Sequence, residues 1–170
     1  MARLQRQTVD LAKYPELVII YLGMKVNQLR GVGTVMKFGP QIRSSVEQKP
    51  DGLLLHENFV FSLWPLHVGM RQYWRDFPSL EAWTRTLPHQ AWWKDYLKDP
   101  AGTGFWHEAY SATGHIEAIY DNMNTRPGLS AFADLKPARG PMFGARSRLG
   151  LAGQAPQSPL PETEFYSPEK

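Results

Sequence analysis

The first long hydrophobic run of the chain contains almost no polar residue. It spans residues 17–26, LVIIYLGMKV, and its β-branched and aromatic content predicts a strand buried on both faces. Further strands are predicted at 53–64 and 67–75, and the short link between them favours an antiparallel pair. A fourth strand is predicted at 105–123, with a bulge or bend near Gly114. The hydrophobic pattern therefore predicts four strands.

Helical spacing of hydrophobic residues predicts the elements between these strands. One set predicts the first helix: Val35, Phe38, Ile42 and Val46. We expect Gly39-Pro40 to bend or interrupt it, because proline lacks the amide hydrogen. A second set predicts another helix: Leu80, Trp83 and Leu87. Ser79 is its predicted N-cap, and Pro88 should either kink it or start a further helix. That helix would extend the apolar stripe: Trp92, Trp93, Tyr96 and Leu97.

The order of predicted elements is β-α-β-β-α-β, the pattern of a ferredoxin-like α+β domain. Such a sheet has helices on one face only, and large exposed apolar patches are rarely tolerated. The other face is therefore expected to pack against a second copy of the chain. We predict an N-terminal arm at 1–16, the ferredoxin-like domain at 17–124, an extended loop packing on the domain at 125–150 and a mobile Pro-rich tail at 151–170.

Composition excludes several classes of function. The chain has no cysteine, so disulfides, thiolate nucleophiles and zinc-thiolate sites are excluded. Its net charge of +3 does not favour a nucleic-acid partner, for which a clustered basic face is expected. The N-terminus lacks the apolar core of a signal peptide, and no hydrophobic run approaches the length of a membrane span. We expect a cytoplasmic protein without a membrane partner.

Known catalytic motifs do not occur in the sequence. It contains no G-x-S-x-G, P-loop or dinucleotide-binding fingerprint. None of the five histidines forms a pair at the i, i+4 spacing of a helical zinc site. We therefore expect no metal held by protein ligands alone.

His89 is the most informative histidine because Trp92 and Trp93 follow it at helical spacing, so the three side chains can face one way. A histidine buried among indoles resists protonation, since desolvation disfavours its charged form. Such a neutral imidazole can accept a proton, donate a hydrogen bond or ligate a haem iron. The alternative is a core histidine bonded to a backbone carbonyl.

Strand alternation supplies a second group of candidates. On the fourth strand, His107 lies on the face opposite to three other residues: Trp106, Glu108 and Tyr110. If Trp74 of the third strand shares its face with these three, they would line one pocket with His89 between the sheet and the helices. The alternative is an aromatic core in which Glu108 pairs with an arginine.

Four segments of the chain resemble one known family: QYWRDFPSLEAW, LPHQAWW, GFWHEAY and IEAIYDNM. Over about residues 17–150 the chain is similar to the monooxygenase-like family of the dimeric α+β barrel superfamily. That family is a relative of the antibiotic-biosynthesis monooxygenases and has a fungal terpenoid-pathway branch. The resemblance implies a homodimer of ferredoxin-like subunits, each with its own pocket. It also implies a monooxygenase that uses O2 on a hydrophobic small molecule in specialised metabolism, with no dedicated metal or flavin as cofactor.

The resemblance supplies no residue-by-residue catalytic set, so the expected roles follow from side-chain chemistry. His89 or His107 is expected to be the base, and Tyr73 or Tyr110 the hydrogen-bond donor to the developing oxyanion. Glu108 completes the expected catalytic group. Four tryptophans are expected to form the substrate-binding walls: Trp74, Trp92, Trp93 and Trp106.

Two other functions stay open from the sequence. The superfamily also contains haem-binding members, including haem-degrading enzymes and relatives of aldoxime dehydratase, some of which ligate iron through a histidine on the corresponding helix. His89 would then be the axial ligand of a haem cofactor. The other alternative is a non-catalytic small-molecule-binding dimer, since a fold alone does not imply catalysis. A space beside His89 that is filled by indoles would favour that last alternative.

Overall fold

The computed structural model describes residues 5–150, except for six positions: 88, 114, 115, 122, 124 and 127. The side chains of three more residues also lie outside the described part: Trp93, Leu97 and Arg146. The chain divides into two compact units. One unit spans residues 16–112, and the other combines residues from both sides of it in the sequence.

Seven strands and four helices are seen in the described residues. The strands are β1 (Arg6–Asp10), β2 (Val18–Val26), β3 (Leu53–Leu63), β4 (Leu66–Trp74), β5 (Thr103–Ser111), β6 (Tyr120–Asp121) and β7 (Asp134–Pro137). The helices are α1 (Gly31–Glu47), α2 (Phe77–Thr84), α3 (His89–Lys98) and α4 (Ala145–Arg148). Two short 3-10 helices lie at Gly128–Ala131 and Gly140–Met142.

The central unit contains one antiparallel sheet with the strand order β3-β4-β2-β5. Helix α1 connects β2 to β3, and α2 with α3 connects β4 to β5. This is the ferredoxin-like β-α-β-β-α-β arrangement, so the predicted fold class is confirmed. Ile20 pairs with Gln72 on one side and with Ala109 on the other. These three side chains therefore project from the same face of the sheet.

The hydrophobic core lies on the face of the sheet that the helices cover. Val18 and Ile20 from β2, Trp74 from β4 and Leu80 from α2 form one buried cluster. Trp74 has no exposed surface, and its ring centroid is 5.4 Å from that of Trp83. Burial of this large side chain connects the sheet to α2 and makes Trp74 a main contributor to the core.

Two details of the helices differ from the prediction. The interruption expected at Pro40 does not occur, because α1 runs through it as far as Glu47. One missing backbone hydrogen bond is tolerated in a long helix whose apolar side packs on a sheet. The N-cap of α2 is Asp76 rather than Ser79, since the Asp76 carboxylate accepts the Ser79 backbone N–H at 2.7 Å. The helix begins one turn earlier than the hydrophobic spacing suggests.

The fourth strand of the domain is shorter than predicted. β5 ends at Ser111, and Tyr120–Asp121 instead forms β6, which pairs with β1. Gly114, at the predicted bulge, lies outside the described residues. A local hydrophobic pattern cannot show that the chain leaves one sheet for another, because that depends on the distant strand with which each segment pairs.

The second unit has its own three-stranded sheet with the order β6-β1-β7. Gln7 of β1 pairs with Tyr120 on one side and with Pro137 on the other. Strands are thus present where the sequence predicted an arm and an extended loop, and the predicted tail at 151–170 lies outside the described residues. No helix within the described ranges is long and apolar enough to cross a membrane.

Candidate functional site

A cavity of about 740 Å³ lies between the covered face of the sheet and helices α1, α2 and α3. Its volume falls within the range of small-molecule sites, roughly 300–1,000 Å³. Most of the wall is apolar, and sheet and helices both contribute to it: Leu22, Val68, Met70, Phe38 and Ile42. The space predicted between the second helical segment and the sheet is therefore present and is not filled by indoles.

His89 begins α3 and lines this cavity. Its Nδ1 lies 3.1 Å from the Thr84 carbonyl oxygen. Because a carbonyl can only accept, Nδ1 carries the proton, and Nε2 of the neutral ring keeps an unprotonated lone pair. The ring centroids of Trp83 and Trp92 are 4.7 and 6.2 Å away. Burial lowers the pKa of His89, and the bond to the Thr84 carbonyl opposes that shift only in part.

His56 on β3 also lines the cavity, but a directional chain of hydrogen bonds occupies both of its nitrogens. The indole N–H of Trp74 can only donate, and it lies 3.1 Å from Gln72 Oε1. Gln72 Nε2 then donates to His56 Nδ1 at 3.1 Å, so His56 Nε2 is the donor to Asn58 Oδ1, also at 3.1 Å. Burial lowers the pKa of His56 as well. This imidazole is neutral and has no nitrogen left to act as a base.

Four predicted site residues lie on the opposite face of the sheet, which we call the outer face: Tyr73, Trp106, Glu108 and Tyr110. Their positions follow from the register, because Tyr73 and Tyr110 both pair with Ile19 of β2. The hypothesis that β5 shares its aromatic set with the face of Trp74 is therefore wrong. Ala109 pairs with Ile20 and therefore projects from the covered face. Its sequence neighbours Glu108 and Tyr110 project from the other face, away from the cavity.

The outer face has its own polar contacts. Glu108 accepts a hydrogen bond from the Tyr110 hydroxyl. Trp106 donates its indole N–H to His67 Nε2 at 2.9 Å. Arg71 on this face pairs with Glu57 at 2.6 Å. The alternative in which Glu108 pairs with an arginine is thus not what the described residues show.

Of the other predicted residues, Trp74 and His107 project from the covered face and Trp92 lies on α3, and they differ in their access to the cavity. His107 pairs with Leu22 and lies beside Phe105, but it is exposed and is not among the described residues that line the cavity. Trp74 is fully buried beneath the site, whereas Trp92 lines it. The side chain of Trp93 lies outside the described part. Among the predicted residues whose side chains are described, His89 and Trp92 alone line the cavity.

Many wall residues were not predicted from the sequence, and four of them carry polar or aromatic groups that matter for the site: His56, Asn58, Trp83 and Tyr96. His56 and Asn58 alternate along β3, so their period of two places them on one face. The sequence pattern does not show which face of β3 the helices cover. Trp83 was assigned only to a helical stripe, which does not separate a packed side from a pocket wall.

Comparison with known proteins gives the family. Residues 17–129 match the family described as monooxygenase af470-like. The chain belongs to this family. The predicted relation to a monooxygenase-like family is confirmed. A search of curated proteins found no match.

Several solved structures share the fold at low sequence identity. An aldoxime dehydratase aligns with a TM-score of 0.62 and 20% identity, over 78% of this chain and 39% of that chain. The aldoxime dehydratase OxdRE in complex with butyraldoxime gives 0.63 and 20%, over 78% and 38%. A variant of SnoaB, a cofactor-independent oxygenase from Streptomyces nogalater, gives 0.43 and 10%, over 57% and 93%. The chain thus spans less than two fifths of the length of the aldoxime dehydratases, and these similarities concern the fold alone.

Proposed function

We propose that this protein is a monooxygenase of specialised metabolism that oxygenates a hydrophobic, electron-rich small molecule, with His89 as the base and no dedicated metal or flavin. One observation carries the proposal: a neutral imidazole with an unprotonated Nε2 lines an open, mainly apolar cavity. Membership of a monooxygenase-like family supports an enzymatic role. An apolar wall favours a hydrophobic substrate, because it offers few partners to polar groups.

The chemistry that this site supports is proton abstraction followed by reaction with O2. A suitable substrate carries an acidic CH2 group next to an electron-rich aromatic system. His89 Nε2 takes one proton, and the carbanion gives an electron to O2. The radical pair combines to a peroxide, which takes the proton back from the imidazolium. Loss of water then leaves a carbonyl, so the CH2 group and O2 become a C=O group and water, and every electron comes from the substrate.

Oxygen uptake with a panel of hydrophobic anthrones, which carry such a CH2 group, tests the proposal. These compounds deprotonate to electron-rich anions, and isotopically labelled O2 should place one labelled oxygen atom in the product. A panel that binds in the cavity but shows no oxygen uptake above the uncatalysed rate would contradict the oxygenase proposal.

Turnover should decrease as the pH falls. The base must be unprotonated, and burial holds the pKa of His89 below its ordinary value. We therefore expect kcat/KM to be at its maximum near neutral pH and to fall only on the acidic side, below about pH 6.5. The measurement is kcat/KM for oxygen uptake across the acidic and neutral range. A rate that rises as the pH falls would show that the protonated form is the active one.

Haem binding is the second candidate function, and the same nitrogen favours it. A histidine that ligates a metal commonly donates its other ring N–H to a backbone carbonyl, as His89 does to Thr84. The residues present fit this group: His89 would be the axial ligand, with Trp83 and Trp92 beside the macrocycle. Bound haem would supply redox-active iron at the cavity. No cluster of three or more metal-ligating side chains occurs among the described residues.

An absorbance spectrum with metal analysis separates the two candidates. For a cofactor-free oxygenase we expect the purified protein to show no Soret band, and none to develop when haemin is added. The measurement is made on wild type and on His89→Ala side by side. A Soret band that forms in wild type and is lost in the variant would replace our proposal with the haem function.

We also propose that the outer face of the sheet forms a homodimer. Several aromatic side chains of this face are accessible, and Phe61 and Tyr110 are 47% and 52% exposed. Association through this face would remove apolar surface from water, which favours the dimer by about 25 cal/mol per Å². Sedimentation analysis should therefore show a dimer that Phe61→Glu converts to monomer. The control is Phe77→Glu, since Phe77 is 56% exposed but begins α2. A monomeric wild type, or equal dissociation by the control, would overturn the assignment.

A further inference from the structure

The hydrogen-bond chain that ends in the cavity has a fixed direction. Trp74 and Gln72 have no exposed surface, and the indole N–H has no acceptor capacity. If the Gln72 amide were turned over, its NH2 group would face the indole N–H, and two buried donors would oppose each other. Such unsatisfied buried donors are strongly disfavoured. Gln72 Oε1 therefore stays on Trp74, and Gln72 Nε2 stays on His56.

This direction is transmitted through the imidazole ring. Nδ1 of His56 receives a hydrogen bond from Gln72, so it carries no proton. Nε2 must then hold the proton of the neutral ring and donate it to Asn58. Protonation of His56 would place a second N–H against the Gln72 amide donor, so the chain itself opposes the charged form. The tautomer of His56 is thus set by a residue on the neighbouring strand.

Asn58 is the last member of the chain, and it is exposed and lines the cavity. Its Oδ1 already accepts from His56. Its Nδ2 is not used in that bond and can only donate, so it can bind an acceptor on a ligand. His89 Nε2, by contrast, can only accept. His89 and Asn58 therefore offer an acceptor and a donor from two different walls of the cavity.

We propose that Gln72 and His56 are positioning residues that hold Asn58 as a hydrogen-bond donor, so that the cavity selects ligands with an acceptor oxygen on an apolar frame. Ketones and phenolates are the chemical classes that meet this requirement. The proposal deepens the proposed function by naming the substrate class. It rests on that function only for the assumption that the ligand occupies this cavity.

Two compounds of the same three-ring frame provide the test: fluorene, which has no polar group, and 9-fluorenone, which carries a carbonyl acceptor. Their Kd values are measured without O2 by equilibrium dialysis, and the readout is the ratio of the two. We expect wild type to bind fluorenone about fivefold to tenfold more tightly than fluorene, as one hydrogen bond would provide. Neither measurement requires turnover, so a failure of the oxygenase proposal would leave this test intact.

The variants separate positioning from packing. Asn58→Asp can still accept from His56 but cannot donate to the ligand, so the preference for fluorenone should disappear. Gln72→Leu should reduce the preference severalfold while leaving fluorene binding unchanged, because the His56 tautomer is no longer set. The double variant should lose no more than Asn58→Asp alone, since both act through one group. Gln90→Leu makes the same chemical change at an exposed position of α3 and should have no effect.

Trp74→Phe keeps the assignment testable if Gln72→Leu fails to fold. It preserves a buried aromatic ring but removes the indole N–H, so the Gln72 amide can turn over and the preference should fall in the same way. Equal binding of both compounds by wild type would overturn the proposal. So would an unchanged ratio in the folded Gln72 or Trp74 variant, or losses that simply add in the double variant.

Discussion

Replacement of His89 by alanine is expected to lower kcat/KM for oxygenation by about 100-fold or more while the protein stays folded. The substitution removes the unprotonated Nε2, the only histidine nitrogen in the described cavity wall that is free to accept a proton. The ring is only half-buried, and its contacts with Trp83 and Trp92 are a small part of the core. Oxygen uptake and circular dichroism, measured on the same preparation, check both parts of this prediction.

His107→Ala is the matched control for this substitution. His107 is exposed on β5 and is not among the described residues of the cavity wall, so its removal should leave the rate unchanged. Wild-type rates in His89→Ala would exclude His89 as the base. If both variants and wild type bind the ligand panel but none consumes oxygen, the protein is a non-catalytic binding protein.

The sheet and its helices were predictable because their signals are local. The run at 17–26 is apolar enough to predict β2 with an error of one residue. The link between Leu63 and Leu66 is short, so the antiparallel pairing of β3 and β4 could be predicted without further information. The order of these elements then leaves few alternatives to a ferredoxin-like fold.

The phase of β5 could not be predicted, because both of its faces carry aromatic residues. Phe105 and His107 project to one side, while Trp106 and Tyr110 project to the other. Only the long-range register with β2, in which Ala109 pairs with Ile20, decides which side meets the helices. Strand alternation gives the two sets but not their direction.

The hydrogen-bond chain of the site depends on another long-range feature. Its contact between β3 and β4 requires His56 to lie opposite Gln72. The register between these strands shifts between Leu53 and Leu55 and again between Val60 and Ser62. Because an irregularity of one residue reverses the faces of a strand, a count from the hairpin turn does not give this pairing.

The pairing of the chain ends was missed for a related reason. Residues 6–10 pair with residues 120–121 and with residues 134–137. Each of these segments is short, and none carries a sustained alternation that would distinguish it from loop. A strand of this kind is defined by its distant partners, which a local pattern does not contain.

Replacement of Trp74 by alanine is expected to lower the free energy of unfolding by about 3–5 kcal/mol. The indole is fully buried against Val18, Ile20, Leu80 and Trp83, so its removal leaves a large cavity in the core. A loss of this size is a large share of the roughly 5–15 kcal/mol that stabilises a typical domain. Guanidinium denaturation followed by circular dichroism is the measurement.

Two comparisons show what part of that loss comes from packing. Trp74→Phe retains most of the buried ring but leaves Gln72 Oε1 without its donor, and we expect it to cost about 1–2 kcal/mol. Leu29→Ala truncates a side chain that is 79% exposed and should change stability by less than about 0.5 kcal/mol. A Trp74→Ala variant as stable as Leu29→Ala would mean that the sheet and α2 do not share the core described for this unit. The cavity would then lack the packed core that we describe beneath it.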